Sequence, residues 1–183
     1  MDSLTGRLLV ASPQLRDPNF HRTVVLMIQH TEDGALGVVL NRPGEKTVEQ
    51  VWDMIDFDPV ERADPVYVGG PVPGPIIAVH TDENLADQVV GVGLYASTQN
   101  TSVDALVRQA EHPVRLYSGH SGWGGGQLEG ELEAGGWLTG PVAPGDAFGD
   151  PESLWRQVTS RIGFSIMAPG VDRSRFPEDP SLN

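Results

Sequence analysis

Two nearly continuous apolar runs, RTVVLMIQH (Arg22 to His30) and ALGVVLN (Ala35 to Asn41), are joined by the polar stretch TEDG. Arms this apolar do not suit a ribbon with one wet face, and they predict two strands covered on both faces. The polar joint predicts a β-hairpin in which Gly34 takes a positive φ.

The other elements follow from period and punctuation. RLLVAS (Arg7 to Ser12) predicts a strand, as do VVGVGLYAS (Val89 to Ser97), VRLYSGH and GWLTGPV. PVYVGGPVPGPIIAVH (Pro65 to His80) predicts two short strands around a Gly/Pro turn. In KTVEQVWDMIDF, Thr47 and Gln50 form a capping-box pair, and Val48, Val51, Trp52 and Ile55 fall on one helical stripe. TSVDALVRQAEH places Val103, Leu106, Val107 and Ala110 on another, with Ser102 as N-cap. GQLEGELEAGG predicts a short helix whose glutamates form a solvated acidic face. The last helix is the best punctuated: Asp150 caps, Pro151 opens, Gly163 stops, and Leu154, Trp155, Val158 and Ile162 form its buried stripe. Residues 168–183 carry little apolar content and predict an extended or disordered tail after one domain at 1–167. Strands without regular β-α alternation predict an α+β class, a single compact domain of mostly antiparallel or mixed sheet packed with about four helices.

Charge narrows the partners. Twelve Lys plus Arg face 25 Asp plus Glu, a formal net charge of −13. Such a field repels phosphate backbones and anionic membranes, so direct nucleic-acid binding is disfavoured. Arg16, Arg22 and Arg42 all lie in the first quarter of the chain and read as solvated surface residues rather than a basic patch. The absence of cysteine removes disulfide and thiol chemistry. The start MDSLTGRLLVASPQ has no basic n-region or long apolar h-region, and no run approaches the roughly 20 apolar residues of a membrane helix. The expected setting is the cytoplasm, with no membrane association.

The segment GHSGWGGGQ invites a catalytic reading, since Ser121 lies between Gly119 and Gly122. The nucleophile elbow G-x-S-x-G needs a small residue where this chain has Trp123. All five histidines precede Ser121, so the order Ser, Asp, His is impossible. The glycines are instead expected to turn the chain sharply after a strand and start a helix at Gln127, first of all as a tight connection that needs positive φ, and only secondarily as exposed N–H groups able to receive an anion. GVGLYA (Gly91 to Ala96) mimics a dinucleotide fingerprint but lies inside a strand-like run. Lys46 lacks a P-loop context, and no pair of histidines has metal-ligand spacing, so no cofactor and no metal are expected.

Three blocks taken together, ASPQLRDPNFHRTVVLMIQHTEDGALGVVLNRP, VYVGGPV with His80, and GHSGWGGGQLEGEL…GGWL, resemble the YqgE/AlgH family and arrive in its order. The resemblance spans about Gly6 to Gly163. It implies a compact mixed α/β domain in a bacterial cytoplasm, with members labelled transcriptional regulators and no established catalytic residues or cofactor. His120 stands where a tyrosine is common in the family, and Gly124 and Gly125 make the loop unusually glycine-rich.

The leading functional expectation is a non-catalytic binding or regulatory module with a protein or small-molecule partner. Its groove is expected between the turn at Gly69, Gly70 and Pro71, with His80 beyond it, and the loop at Gly122, Trp123 and Gly126. Asn41, Gln127 and Glu129 would supply polar contacts. The alternative is a hydrolase using His80 or His120 with a nearby carboxylate.

Overall fold

The computed structural model describes residues 2–55, 57–143 and 145–167, so the tail expected at 168–183 lies outside the described residues. The predicted hairpin forms its centre. β2 (Val24–Thr31) and β3 (Gly34–Val39) run antiparallel, with Thr31 opposite Gly34 across the Glu32-Asp33 turn. Gly34 has φ 148°, and a Cβ there would overlap the Trp123 carbonyl, so the position requires glycine twice over. Both faces of β2 are buried. Val24, Leu26 and Ile28 join one core cluster, and Val25 and Met27 join a second.

The sheet grows outward from this hairpin. β1 (Arg7–Ala11) pairs with β2 on one side and with β10 (Trp137–Pro141) on the other, both antiparallel. β3 pairs with the long β9 (Val114–Gly124), which carries β6 (Val72–His80), β8 (Leu94–Ser97) and β7 (Gln88–Gly91) in that order. Off this path, β4 (Pro43–Thr47) pairs with β5 (Pro65–Val68), which runs parallel to β9. The sheet curls until its β7 edge reaches β2, where the Gln88 amide donates to the Ile28 carbonyl at 2.7 Å.

Among the described residues four α-helices cover it. α4 (Pro151–Met167) closes the concave face, burying Leu154, Val158 and Ile162 at about 2 kcal/mol each. Its cap is as predicted: the Asp150 carboxylate accepts the Glu152 and Ser153 N–H groups. The helix does not stop at Gly163 but runs on to Met167, since an interior glycine costs only about 1 kcal/mol. On the convex face, α3 (Gln127–Glu133) covers the β1–β3 end, while α1 (Val48–Met54) and α2 (Asn100–Arg108) cover the β5–β6 end. The α1 capping box is present, with Trp52 fully buried, but Ile55 sits at the C-cap and is exposed. α2 starts earlier than expected, with Gln99 rather than Ser102 at the N-cap, and Ala110 lies beyond its end.

The fold is α+β, as expected, with two corrections of consequence. VVGVGLYAS is not one strand but the hairpin β7–β8, turning at Val92 and Gly93, where Gly93 has φ 65°. The chain also does not turn sharply after His120. β9 continues through Ser121 and Trp123 to Gly124, because Ala35, Leu36 and Gly37 of β3 supply register partners for Trp123, Gly122 and Ser121. The turn comes afterwards, at Gly125 and Gly126.

Candidate functional site

The expected groove between the β5–β6 turn and β9 is filled by backbone. The Gly69 N–H donates to Ser118 O at 2.9 Å, and the Gly69 carbonyl accepts the Val39 N–H at 2.8 Å. A Cβ at Gly69 would overlap the Gly119 carbonyl, and one at Gly70 would overlap the backbone of His120 and Ser121. Gly122 sits within the β3–β9 ladder, and Pro71 is exposed. Ser121 is fully buried and donates its hydroxyl to the Gly69 carbonyl at 3.2 Å. That serine ties a turn to a strand.

Asn41 is likewise committed to the backbone: its Oδ1 accepts the Val24 N–H and its Nδ2 donates to Arg22 O, both at 2.9 Å. The pair fixes the entry of β2, where Arg22 holds φ 55°.

Around α3 the polar side chains form a connected unit. The Trp123 indole N–H and the Trp137 indole N–H both donate to Glu131 Oε2, at 3.0 and 2.8 Å. Gln127 donates to Glu131 Oε1 at 2.9 Å and accepts the Gly124 N–H at 3.1 Å. Phe20 stacks on Trp123 and meets Trp137 edge-on, with centroids 6.0 and 5.3 Å apart. One residue-face away, Glu129 accepts from His30 Nε2 at 2.9 Å. The His30 Nδ1 accepts the Leu4 N–H at 3.0 Å, which requires its lone pair and so places the ring proton on Nε2. Its own backbone N–H and the His30 imidazole hold the Glu129 carboxyl below the usual carboxylate range. The acidic face expected to be solvated is therefore a fastening. Gly126, at φ 76°, supplies the left-handed N-cap that lets α3 fold back under β9. Glu131 escaped the sequence reading, because its partners come from two different strands.

His80 lies elsewhere, fully buried beneath β8. Its Nε2 meets Ser97 Oγ at 3.0 Å, a His–Ser pair of the kind a hydrolase uses. The protons rule that role out. Ser97 donates to Leu85 O at 2.6 Å and accepts the Asp87 N–H at 3.0 Å, so Nε2 must be the donor and the hydroxyl proton is already given to a carbonyl. Burial holds the imidazole below the ordinary histidine value, against the pull of Asp82 and Asp87. The pair pins the β6–β8 crossover. Among the described residues no group of three or more His, Cys, Asp or Glu could hold a metal ion.

An open cleft of about 780 Å³ lies at the far end of the curled sheet. One wall is the β7–β8 turn, with Val90, Gly91, Val92, Gly93 and Leu94. The opposite wall is the segment after β10, with Pro141, Val142, Ala143, Gly145, Ala147 and Phe148, and Thr5, Gly6 and Arg7 form the floor with Thr81 and Pro113. Gly6 lets the floor touch its wall, since a Cβ there would overlap the Val90 carbonyl. Val92 is fully exposed at the rim. Arg7 is the one ionisable group lining the cleft among the described residues. None of the ten expected groove residues lines it. The sequence hinted at it only through the glycines and prolines of GVGL and TGPVAPGDAF.

Comparison with known proteins agrees with this architecture. Residues 8–167 match the family described as AlgH-like. The UPF0301 protein SCO2948 of Streptomyces coelicolor is 38% identical over an alignment covering 100% of this chain and 97% of the relative. The UPF0301 protein IL2218 of Idiomarina loihiensis is 35% identical, covering 94% and 98%. The solution structure of the AlgH protein from Pseudomonas aeruginosa superimposes with a TM-score of 0.75 at 28% identity, covering 93% of this chain and 95% of that one. The crystal structure of protein DIP2367 from Corynebacterium diphtheriae gives 0.71 at 25% identity, covering 88% and 87%.

Proposed function

The chain belongs to the AlgH-like family, and from that premise we propose that it is a non-catalytic binding module that takes a small apolar ligand into the cleft beside the Val92–Gly93 turn. One observation carries the reading: a cleft of about 780 Å³, walled by aliphatic side chains and glycine backbone, lined by no carboxylate among the described residues. On a chain with 25 acidic residues, that local absence favours an apolar body with at most an acidic substituent facing Arg7. The volume lies in the range of small-molecule sites, roughly 300–1,000 Å³. Apolar contact supplies the affinity at about 25 cal/mol per Å² removed from water.

No helix among the described residues is long and apolar enough to cross a membrane. The reading is of a cytoplasmic regulator that acts through its ligand or a protein partner. A net charge of −13 speaks against direct contact with DNA.

The test is titration with 1-anilinonaphthalene-8-sulfonate, an apolar anion whose fluorescence rises in an apolar site. Saturable binding is expected, weakened by Val92→Asp at the exposed rim and by Val142→Asp on the far wall. Equal binding by folded variants and the parent protein would contradict the reading.

A further inference from the structure

A second recess, of about 230 Å³, shares Pro113 and Phe148 with the cleft but is lined by different chemistry. Arg115 of β9 and Arg62 both face it, with Asp64 as its one carboxylate. Arg62 is neutralised in place, donating from Nε to Asp64 at 2.7 Å and from Nη1 to Val107 O at 3.0 Å. Arg115 has no such counterion. Its Nη2 donates to the Gly149 carbonyl at 3.1 Å, and its guanidinium lies 4.4 Å from the centre of the Tyr67 ring. Its Nη1 is buried beside the Tyr117 hydroxyl, and no carboxylate pairs with it among the described residues.

Arg62, Arg108 and Arg161 each hold a carboxylate. A guanidinium carries a fixed charge, and removing it from water without a counter-charge is costly. Cation–π contact with one tyrosine offsets only part of that cost. Two residues along the same strand, the fully buried Tyr117 hydroxyl has the Arg115 guanidinium as its polar neighbour. Burial pushes its pKa up, so it stays a protonated donor.

We propose that this recess is an anion site in which Arg115 receives the carboxylate of a small organic acid. With Arg62 matched by Asp64, one positive charge is left over, which suits a monoanion. The recess is otherwise walled by Tyr67, Leu116, Phe148 and Pro113, which suit a short apolar substituent. The assignment rests on Arg115 and is independent of what occupies the larger cleft.

The test follows the Arg115 side-chain Nε–Hε resonance in the folded, full-length protein during titration with sodium propionate. Sodium phosphate, propionamide and sodium chloride at matched ionic strength are the comparison arms. Propionate is expected to move that resonance saturably and to raise the melting temperature, while propionamide and chloride do neither. Arg115→Gln is expected to weaken propionate binding about tenfold or more, the loss of a charge-assisted bond. Should that variant fail to fold, the titration of the parent protein decides alone. A resonance that follows propionate no further than chloride overturns the site, and saturation by phosphate without saturation by propionate overturns the carboxylate assignment.

Discussion

Trp123 donates its indole N–H to Glu131 at 3.0 Å, from the last turn of a strand to the middle of the helix that follows it. That bond makes the glycine-rich stretch between them a closed loop. Glu131 also takes the Trp137 N–H, so the start and end of the segment are held by one carboxylate.

Removing that carboxylate leaves two nearly buried indole donors unpaired. Glu131→Ala is expected to destabilise the protein by about 2–3 kcal/mol, the cost of unsatisfied buried donors. Glu133→Ala, two residues on and exposed, should stay within about 0.5 kcal/mol of the parent. Urea denaturation of the two variants measures the contrast, and equal midpoints would mean that Glu131 is an ordinary surface residue.

Ser121 provides a chemical check. Its hydroxyl is spent on the Gly69 carbonyl, which also keeps the Val39 N–H. Ser121→Ala should therefore cost about 1 kcal/mol or less. A serine-directed fluorophosphonate should not label the native protein at this position, as peptide mass spectrometry would show.

Backbone contact at the β5–β6 turn predicts a sharp difference between two glycines. At Gly70 a Cβ would overlap the backbone of β9, while at Gly93 nothing lies within 4 Å. Gly70→Ala is expected to cost about 3 kcal/mol or to prevent folding, as overpacking against immovable backbone does. Gly93→Ala meets only its φ of 65° and should cost about 1–2 kcal/mol. Thermal melts of both variants give the ranking.

Acid should weaken the fold in two stages. Burial holds His80 below the ordinary histidine value in the folded state, so the unfolded chain binds the extra proton first. Stability from this group is complete above about pH 6.5 and falls as the pH drops below it. Hydrogen bonds from Arg108 and Ser153 hold the Asp104 and Asp150 carboxyls low, so their contribution is lost further down, below about pH 4. His80→Gln, which can still donate to Ser97, should flatten the first slope and leave the second. An unchanged slope between pH 6.5 and 5 would place the titrating group elsewhere.

Much of the scaffold was legible in the sequence because it is local. The β2–β3 hairpin, the Thr47–Gln50 box and the Asp150 cap are written within a few residues of one another, and each formed. The β7–β8 hairpin was missed because VVGVGLYAS has no polar turn, and only the positive φ at Gly93 marks the reversal. Trp123 and Glu129 stand out in the sequence as candidate groove residues, and in the structure both bond to other side chains. Their partners, Glu131 and His30, are set by tertiary packing that no spacing rule encodes. The cleft was invisible for a related reason. It joins residues 5–7, the β7–β8 turn and the segment around 141–148 through aliphatic, glycine and proline groups that carry no motif.

The binding role is tested most directly by amide chemical-shift mapping during the 1-anilinonaphthalene-8-sulfonate titration. The perturbed amides should cluster at Gly6, Gly91–Leu94 and Val142–Phe148, with Gly69, Trp123, Gly126 and Glu131 unmoved. Shifts centred on the tryptophan–glutamate unit, or spread evenly over the surface, would contradict it.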